Sequence, residues 1–142
     1  MHTEGVFAPE TAAEAGELYA AVGPAAQTSV REVAKAMDFD SEEYEDRVTG
    51  SVVATAHEAI FASMLEVTVG TDAEFEDWCE AHPDYEREMI GSENVDRVVW
   101  HAVPFAETVV AATFQEREDA AVGTLRRQAF GSAYREVVTG DQ

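Results

Sequence analysis

Cysteine and long apolar runs are nearly missing from this chain of 142 residues, and each shortage excludes a class of protein. The single cysteine, Cys79, excludes an internal disulfide and a metal site made only of cysteines. No apolar run reaches the roughly 18 residues of a membrane-spanning helix. The first residues, MHTEGVFAPE, lack the basic start and apolar stretch of a secretion signal. We therefore expect a cytoplasmic protein with no membrane partner.

Basic residues are scarce as well. Lys35 is the only lysine, and eight arginines bring the basic total to nine against 29 Asp and Glu, a net charge of −20. The excess is spread along the chain, because residues 1–65 hold 12 acids and three bases and residues 66–142 hold 17 and six. This distribution indicates an acidic surface rather than an acidic tail, and it makes nucleic acid an unlikely partner.

Large aliphatic side chains are the third shortage. The chain has 24 alanines and 18 valines but only three leucines and two isoleucines. In molar salt a Debye length of about 3 Å screens the repulsion between acidic groups. Strong salt also reinforces apolar burial, so that smaller core side chains suffice. The composition therefore predicts a halophilic cytosolic protein.

The length and a hydrophobic content of 46% are those of one globular domain over residues 1–142. Its first half has the apolar spacing of about four helices. Pro9 is placed for the first turn of one helix, and Gly23 with Pro24 separates it from the next. One apolar stripe on that second helix contains Ala26, Val30, Val33, Ala34 and Met37.

Two more helices are predicted before the middle of the chain. Asp40 or Ser41 is a suitable N-cap for a short acidic helix, and Gly50 is a suitable end for it. Residues 51–65 are apolar in nearly every direction around a helix. That pattern predicts a buried helix at the centre of the fold.

The second half has the alternating pattern of strands and one helix between them. Thr71 and Glu74 have the spacing of a capping box, and a final helix is predicted from Glu118. Strands are predicted over residues 65–70, 85–90, 95–103 and 108–114. The fold class is therefore α+β, with an N-terminal helical half of about four helices packed with a small, mainly antiparallel sheet and a C-terminal helix.

Five residues are candidates for a small-molecule pocket. His57 and Glu58 lie on the predicted central helix, where an imidazole beside a carboxylate suits a general base. Their side chains point about 100° apart, which favours a core histidine instead. Arg97, Trp100 and His101 lie in a predicted strand, where Arg97 and His101 share a face and a group such as Glu107 could complete an anion site; cross-strand pairing is the alternative.

Other motifs predict no chemistry. Cys79 and His82 have half of a zinc spacing with no second pair, so packing is favoured. Phosphate loops, nucleophile elbows and zinc-protease motifs are missing from the sequence, so no catalytic residue, metal ligand or cofactor is predicted. Residues 30–48 have the rhythm of a DNA-binding helix-turn-helix, although its second helix carries four carboxylates.

The chain resembles a family of small uncharacterised proteins of halophilic archaea, grouped as a domain of unknown function. The resemblance covers most of the chain and is carried by FAPETAAEAGELYAAVGPAAQ, REVAKAMDFD, LEVTVGTDAEFEDWCEAHPDYE, VDRVVWHAVPFAETVVAATFQ and TLRRQAFGSAYREVV. It agrees with the predicted habitat and implies no activity, cofactor or partner.

Three functions are compatible with the sequence. The favoured one is a non-enzymatic interaction or regulatory domain that binds a protein partner or a second copy of itself. The first alternative is a small-molecule-binding protein or minor enzyme that uses a pocket with His57 and His101. The second is a DNA-linked regulator that acts through residues 30–48.

Overall fold

The computed structural model describes residues 1–92 and 95–139 and has helices on both faces of a five-stranded sheet. The first half contains the strand β1 (His2–Glu4) and then helices only: α1 (Ala12–Ala21), α2 (Gly23–Ala36), α3 (Ser41–Arg47) and α4 (Gly50–Ser63). The second half contains β2 (Val67–Thr71), α5 (Asp72–Ala81), β3 (Glu86–Ile90), β4 (Arg97–Val103), β5 (Thr108–Phe114), α6 (Glu118–Ala129) and α7 (Arg135–Thr139). The α+β class predicted from the sequence is confirmed.

The strands lie in the order β1-β2-β4-β5-β3. Three neighbouring pairs are antiparallel, and the short 3-10 turn Pro104–Ala106 joins β4 to β5 as a hairpin. The remaining pair, β3 with β5, is parallel, so the sheet is mixed. The strand β1 was not predicted, because three exposed residues carry no alternating pattern.

Alternate residues of β4 point to opposite faces of the sheet. Val99 and Val103 join the larger core, which is covered by α1, α4 and α6. Val98 and Trp100 join a smaller core on the other face, which α5 covers. The sheet, rather than the predicted central helix, is therefore the layer around which both cores are built.

The prediction of a buried central helix over residues 51–65 is wrong for most of α4. Only Phe61 and Ala62 are buried on it, and Val52 is 42% exposed. The C-terminal part of α4 contributes Phe61 and Ala62 to the larger core beside α1 and α6, whereas Val52 in its second half-turn stays exposed. An apolar sequence therefore did not mean a buried helix here.

Two predicted helix boundaries were also wrong. Gly50 begins α4 instead of ending α3, because the side chain of Thr49 caps α4 by accepting a hydrogen bond from the Val52 amide at 3.3 Å. Pro9 precedes α1, whose N-cap is Thr11. Hydroxyl side chains satisfy free amides at a helix start, so they set both boundaries.

The predicted C-terminal helix is interrupted. A π-helical turn, Phe130–Tyr134, separates α6 from α7. The turn contains one more residue than a turn of regular α-helix. Phe130 and Tyr134, four residues apart, both lie in the larger core.

The helices of the described residues are all short or polar. The longest, α2 and α4, have 14 residues. None of the helices in residues 1–92 and 95–139 is long and apolar enough to cross a membrane.

Candidate functional site

His101 lies on β4 against the larger core and is only 3% exposed. Its Nδ1 is 2.6 Å from the carbonyl oxygen of Glu66, and its Nε2 is 2.6 Å from the hydroxyl of Tyr134. A carbonyl oxygen can only accept, so Nδ1 carries the hydrogen and Nε2 accepts from the tyrosine hydroxyl. Both ring nitrogens are therefore occupied by protein groups.

Burial controls the titration of this pair. Desolvation lowers the pKa of His101 and outweighs the opposing effect of the Glu66 carbonyl, and the positive charge of Arg126 lowers it further. Desolvation also raises the pKa of Tyr134 above its ordinary value. Both groups are consequently neutral at pH 7, as a structural hydrogen bond requires.

His57 also binds a backbone carbonyl. Its Nε2 is 2.6 Å from the carbonyl oxygen of Tyr19, and its ring stacks on the Tyr19 ring at 3.7 Å and 10°. Glu58 instead accepts a hydrogen bond from Nε of Arg135 at 3.1 Å. The two neighbours on α4 thus have different partners, as their angular separation on a helix requires.

A row of aromatic rings separates the two candidate histidines. Tyr19 packs against Phe61 at 5.5 Å, and Phe61 packs against Tyr134 at 5.6 Å. His57 stacks on the first ring of this row and His101 binds the hydroxyl of the last. Packed core side chains therefore fill the space between the two imidazoles.

The other pocket candidates lie in different surroundings. Arg97 is 3.8 Å from Glu118 and lies 5.4 Å from the centre of the Phe114 ring. It is four residues before His101, about 13 Å along an extended strand. Trp100 points to the opposite face, where it packs against Phe75 at 5.2 Å. The structure therefore distributes these side chains over two faces of β4.

Cys79 and His82 also have separate roles in packing. Cys79 is buried in the smaller core, and its burial raises the pKa of the thiol. His82 stacks on Trp78 at 3.9 Å, with Nδ1 2.7 Å from the carbonyl oxygen of that residue. Cys79 thus packs within the smaller core, and His82 packs on Trp78 at its edge.

Within the described part of the chain, one group of side chains could hold a metal ion. His2, Glu4 and Glu118 place one ligand atom each within 4.8 Å of one another. All three side chains are substantially exposed, and Arg97 already lies beside the Glu118 carboxylate. The arrangement is equally that of a surface ion-pair group, which acidic surfaces commonly carry.

An open and mostly apolar groove of about 550 Å³ lies between α2, α3 and α4, and we call it the helical groove. Val33 on α2 and Met37, the residue after the end of α2, are 59% and 58% exposed, and Val52 on α4 faces the same space. The sequence predicted the apolar stripe on α2 but not that much of it would remain uncovered. The groove is lined by Ser29, Val30, Val33, Ala34, Met37, Phe39, Arg47, Val48, Val52 and Ala56.

Charges of both signs lie around the helical groove. Arg31, Lys35 and Arg47 are the three basic residues of residues 1–65, and all of them lie on α2 or α3. Arg47 lines the groove and lies 5.5 Å from the centre of the Phe39 ring. The other two line an adjoining cavity of about 370 Å³, together with Asp40 and Glu45. Residues 29–56 hold seven acidic residues, so the surroundings of the groove remain acidic overall.

The segment proposed for DNA binding forms part of the same surface. Residues 30–48 contain the end of α2, a turn and α3. The helix in the recognition position, α3, has no buried residue and carries four carboxylates, those of Glu42, Glu43, Glu45 and Asp46. These charges would face the phosphates of DNA.

A comparison with protein families matched residues 6–135 to the model of a family of unknown function, DUF5809. The chain belongs to this family. No curated protein and no solved structure matched the chain in the two other comparisons. The helical groove, within residues 29–56, lies inside the region that DUF5809 covers, whereas His2 and Glu4 of the possible metal group lie outside it.

Proposed function

We propose that this member of DUF5809 is a non-enzymatic interaction domain that binds a protein through the helical groove. The observation that carries the proposal is the exposure of Val33 and Met37 beside Val52 in one concave surface. A contiguous apolar surface of this kind is typical of a protein interaction site.

An apolar groove between helices suits an α-helix as the bound element. Val30, Val33 and Met37 line one side of it, and Val48 with Val52 continues the surface toward α4. In helix-in-groove recognition, an amphipathic helix lays its apolar face into a groove of this kind. Each large apolar anchor that becomes buried contributes about 1.5–3 kcal/mol, so two or three anchors support specific binding.

Charge favours protein over DNA at this surface. The four carboxylates of α3 would repel phosphates, whereas Arg47 can pair with an acidic residue beside the apolar face of a helix. Nε2 of His57 contacts the Tyr19 carbonyl, and both ring nitrogens of His101 contact protein groups, which argues against the small-molecule alternative.

We further propose that binding takes place in the cytosol of a halophile. The net charge of −20 and the small core residues support this setting. In molar salt the long-range repulsion between acidic proteins is screened, so apolar contacts dominate association.

The test is a pull-down in molar KCl with partners identified by mass spectrometry and then reconstituted from purified proteins. Wild-type protein should retain one partner near a one-to-one ratio, and V33E should lose it. V137E is the matched control, because Val137 is an exposed helical valine, 40% accessible, away from the helical groove. A partner retained equally by V33E, or no stoichiometric partner for the wild type, would refute the proposal.

A further inference from the structure

The edge strand β1 carries two side chains that can ligate a metal ion, and both lie on the face of the sheet that α6 covers. His2 and Glu4 are two residues apart on this strand, so their side chains share a face. Their partners in β2 are Val69 and Val67, which belong to the larger core. Residues directly opposite in an antiparallel pair lie on the same face of the sheet. The strand therefore presents an imidazole and a carboxylate toward the helix layer.

The helix α6 supplies a third side chain and also fixes the backbone of β1. Glu118 is the first residue of this helix. Two turns later, Nε of Arg126 donates to the Leu65 carbonyl at 3.0 Å, and its Nη2 lies 3.4 Å from the carbonyl oxygen of Glu4. Gly5 has a φ of +95°, and a Cβ there would collide with the same Leu65 carbonyl. The backbone after β1 thus packs closely against the helix that carries Glu118.

The distances within this group are those of ligands around one ion rather than those of hydrogen-bonded partners. Nε2 of His2 is 3.5 Å from Oε2 of Glu118 and 4.0 Å from Oε2 of Glu4. Both distances exceed the roughly 2.7–3.2 Å of a well-formed N–H···O hydrogen bond. A tetrahedral ion with bonds of about 2.0–2.1 Å separates its ligand atoms by about 3.3–3.4 Å. Small rotations of these exposed side chains are enough to reach that spacing.

We propose that His2, Glu4 and Glu118 bind one Zn²⁺ or similar divalent transition-metal ion, which ties β1 to α6. Zinc accepts an imidazole nitrogen together with carboxylate oxygens, whereas Mg²⁺ and Ca²⁺ prefer oxygen ligands alone. The two carboxylates balance the charge of the ion, and water completes its coordination. None of the three side chains lines the helical groove, so this site goes beyond the proposed function.

Arg97 orients the Glu118 carboxylate within the group. Its Nη2 is 3.8 Å from Oε1, whereas Oε2 is the oxygen that faces His2. The guanidinium itself lies over the Phe114 ring, 5.4 Å from the ring centre. Partners that hold a ligand in one orientation strengthen metal binding. The arginine therefore takes one oxygen of the carboxylate and leaves the other for the ion.

The test is a calorimetric titration of Zn²⁺ alone into the untagged chain in molar KCl. Molar salt screens exposed ion pairs, whereas direct coordination persists. The wild type should bind one Zn²⁺ per chain, and Mg²⁺ should not compete. At about 100 times the dissociation constant, Zn²⁺ should also raise the melting temperature by about 5–10 °C.

Two variants remove the ligands, with folding checked by circular dichroism. The exchange H2T/T3H keeps the composition but moves the imidazole to the opposite face of β1, and E118Q removes one carboxylate. Each should weaken binding by at least about tenfold. The matched control is E116Q, because Glu116 is exposed, lies two residues before Glu118 and is not one of the three ligands. It removes the same charge and should bind Zn²⁺ as the wild type does.

Three results would overturn the inference. The first is a wild type without saturable one-to-one binding, and the second is wild-type affinity in either H2T/T3H or E118Q. The third is an equal loss in E116Q and E118Q, which would assign binding to general negative charge. None of these results bears on the helical groove, which the pull-down with V33E tests separately.

Discussion

The hydroxyl of Tyr134 donates a hydrogen bond of 2.6 Å to Nε2 of His101, and both side chains are buried. Tyr134 is the last residue of the π-helical turn, and β4 supplies the histidine. The bond joins the C-terminal helix to the sheet through the middle of the larger core. Its loss would leave a buried acceptor without a partner.

Replacing Tyr134 with phenylalanine should therefore destabilise the protein by about 1–3 kcal/mol, the cost of an unsatisfied buried polar group. Chemical denaturation in molar KCl measures this change. The control is Y44F, because Tyr44 is half-buried on α3, outside the core. A Y134F variant as stable as Y44F would show that the hydrogen bond adds no net stability.

Stability should depend on pH through His101. Its native pKa is lowered by burial, so the unfolded chain binds a proton more readily than the native chain. The free energy of unfolding should consequently fall as the pH drops below the unfolded value of about 6.5, by up to about 1.4 kcal/mol per unit, and level off below the native pKa.

Denaturation curves between pH 7 and pH 5 measure that slope. The pKa values of Glu74 and Asp119 are lowered from ordinary values of 4.5 and 3.8. Most of the stability that these two carboxylates contribute is therefore lost below the pH range of this experiment. H101Q removes the titrating group and should flatten the profile. An equal slope in H101Q would assign the pH dependence to other residues.

Two truncations on α4 should differ strongly in cost. F61A removes a fully buried ring and should cost about 3–5 kcal/mol, whereas V52A should cost less than about 1 kcal/mol, because Val52 is 42% exposed. Thermal unfolding of both variants makes the comparison. Equal costs would mean that the first turns of α4 are buried after all.

Transfer from molar to millimolar KCl should loosen or unfold the chain. Twenty uncompensated negative charges then repel without screening. Circular dichroism melts across a KCl series give the measurement, with sucrose at low ionic strength as a control for apolar burial alone. A melting temperature that is independent of KCl would contradict the proposed halophilic setting.

Local signals were predictable from the sequence. Thr71 and Glu74 form the capping box that their spacing indicated, with both hydrogen bonds present, at 3.1 Å and 2.9 Å. The strand Thr108–Phe114 and the helix start at Glu118 were predicted at the residues where the structure has them. These features depend on hydrogen bonds and side-chain alternation within a few residues, and both can be recognised from short stretches of sequence.

The chain by itself determined the class of fold, most of its elements and the apolar stripe on α2. Only the tertiary structure decided that β3 joins β5 in parallel, that His101 meets Tyr134 and Glu66, and that Val33, Met37 and Val52 surround an open groove. An apolar pattern states which side chains favour burial, but burial requires a neighbouring layer. Which face receives that layer depends on contacts between residues far apart in the chain.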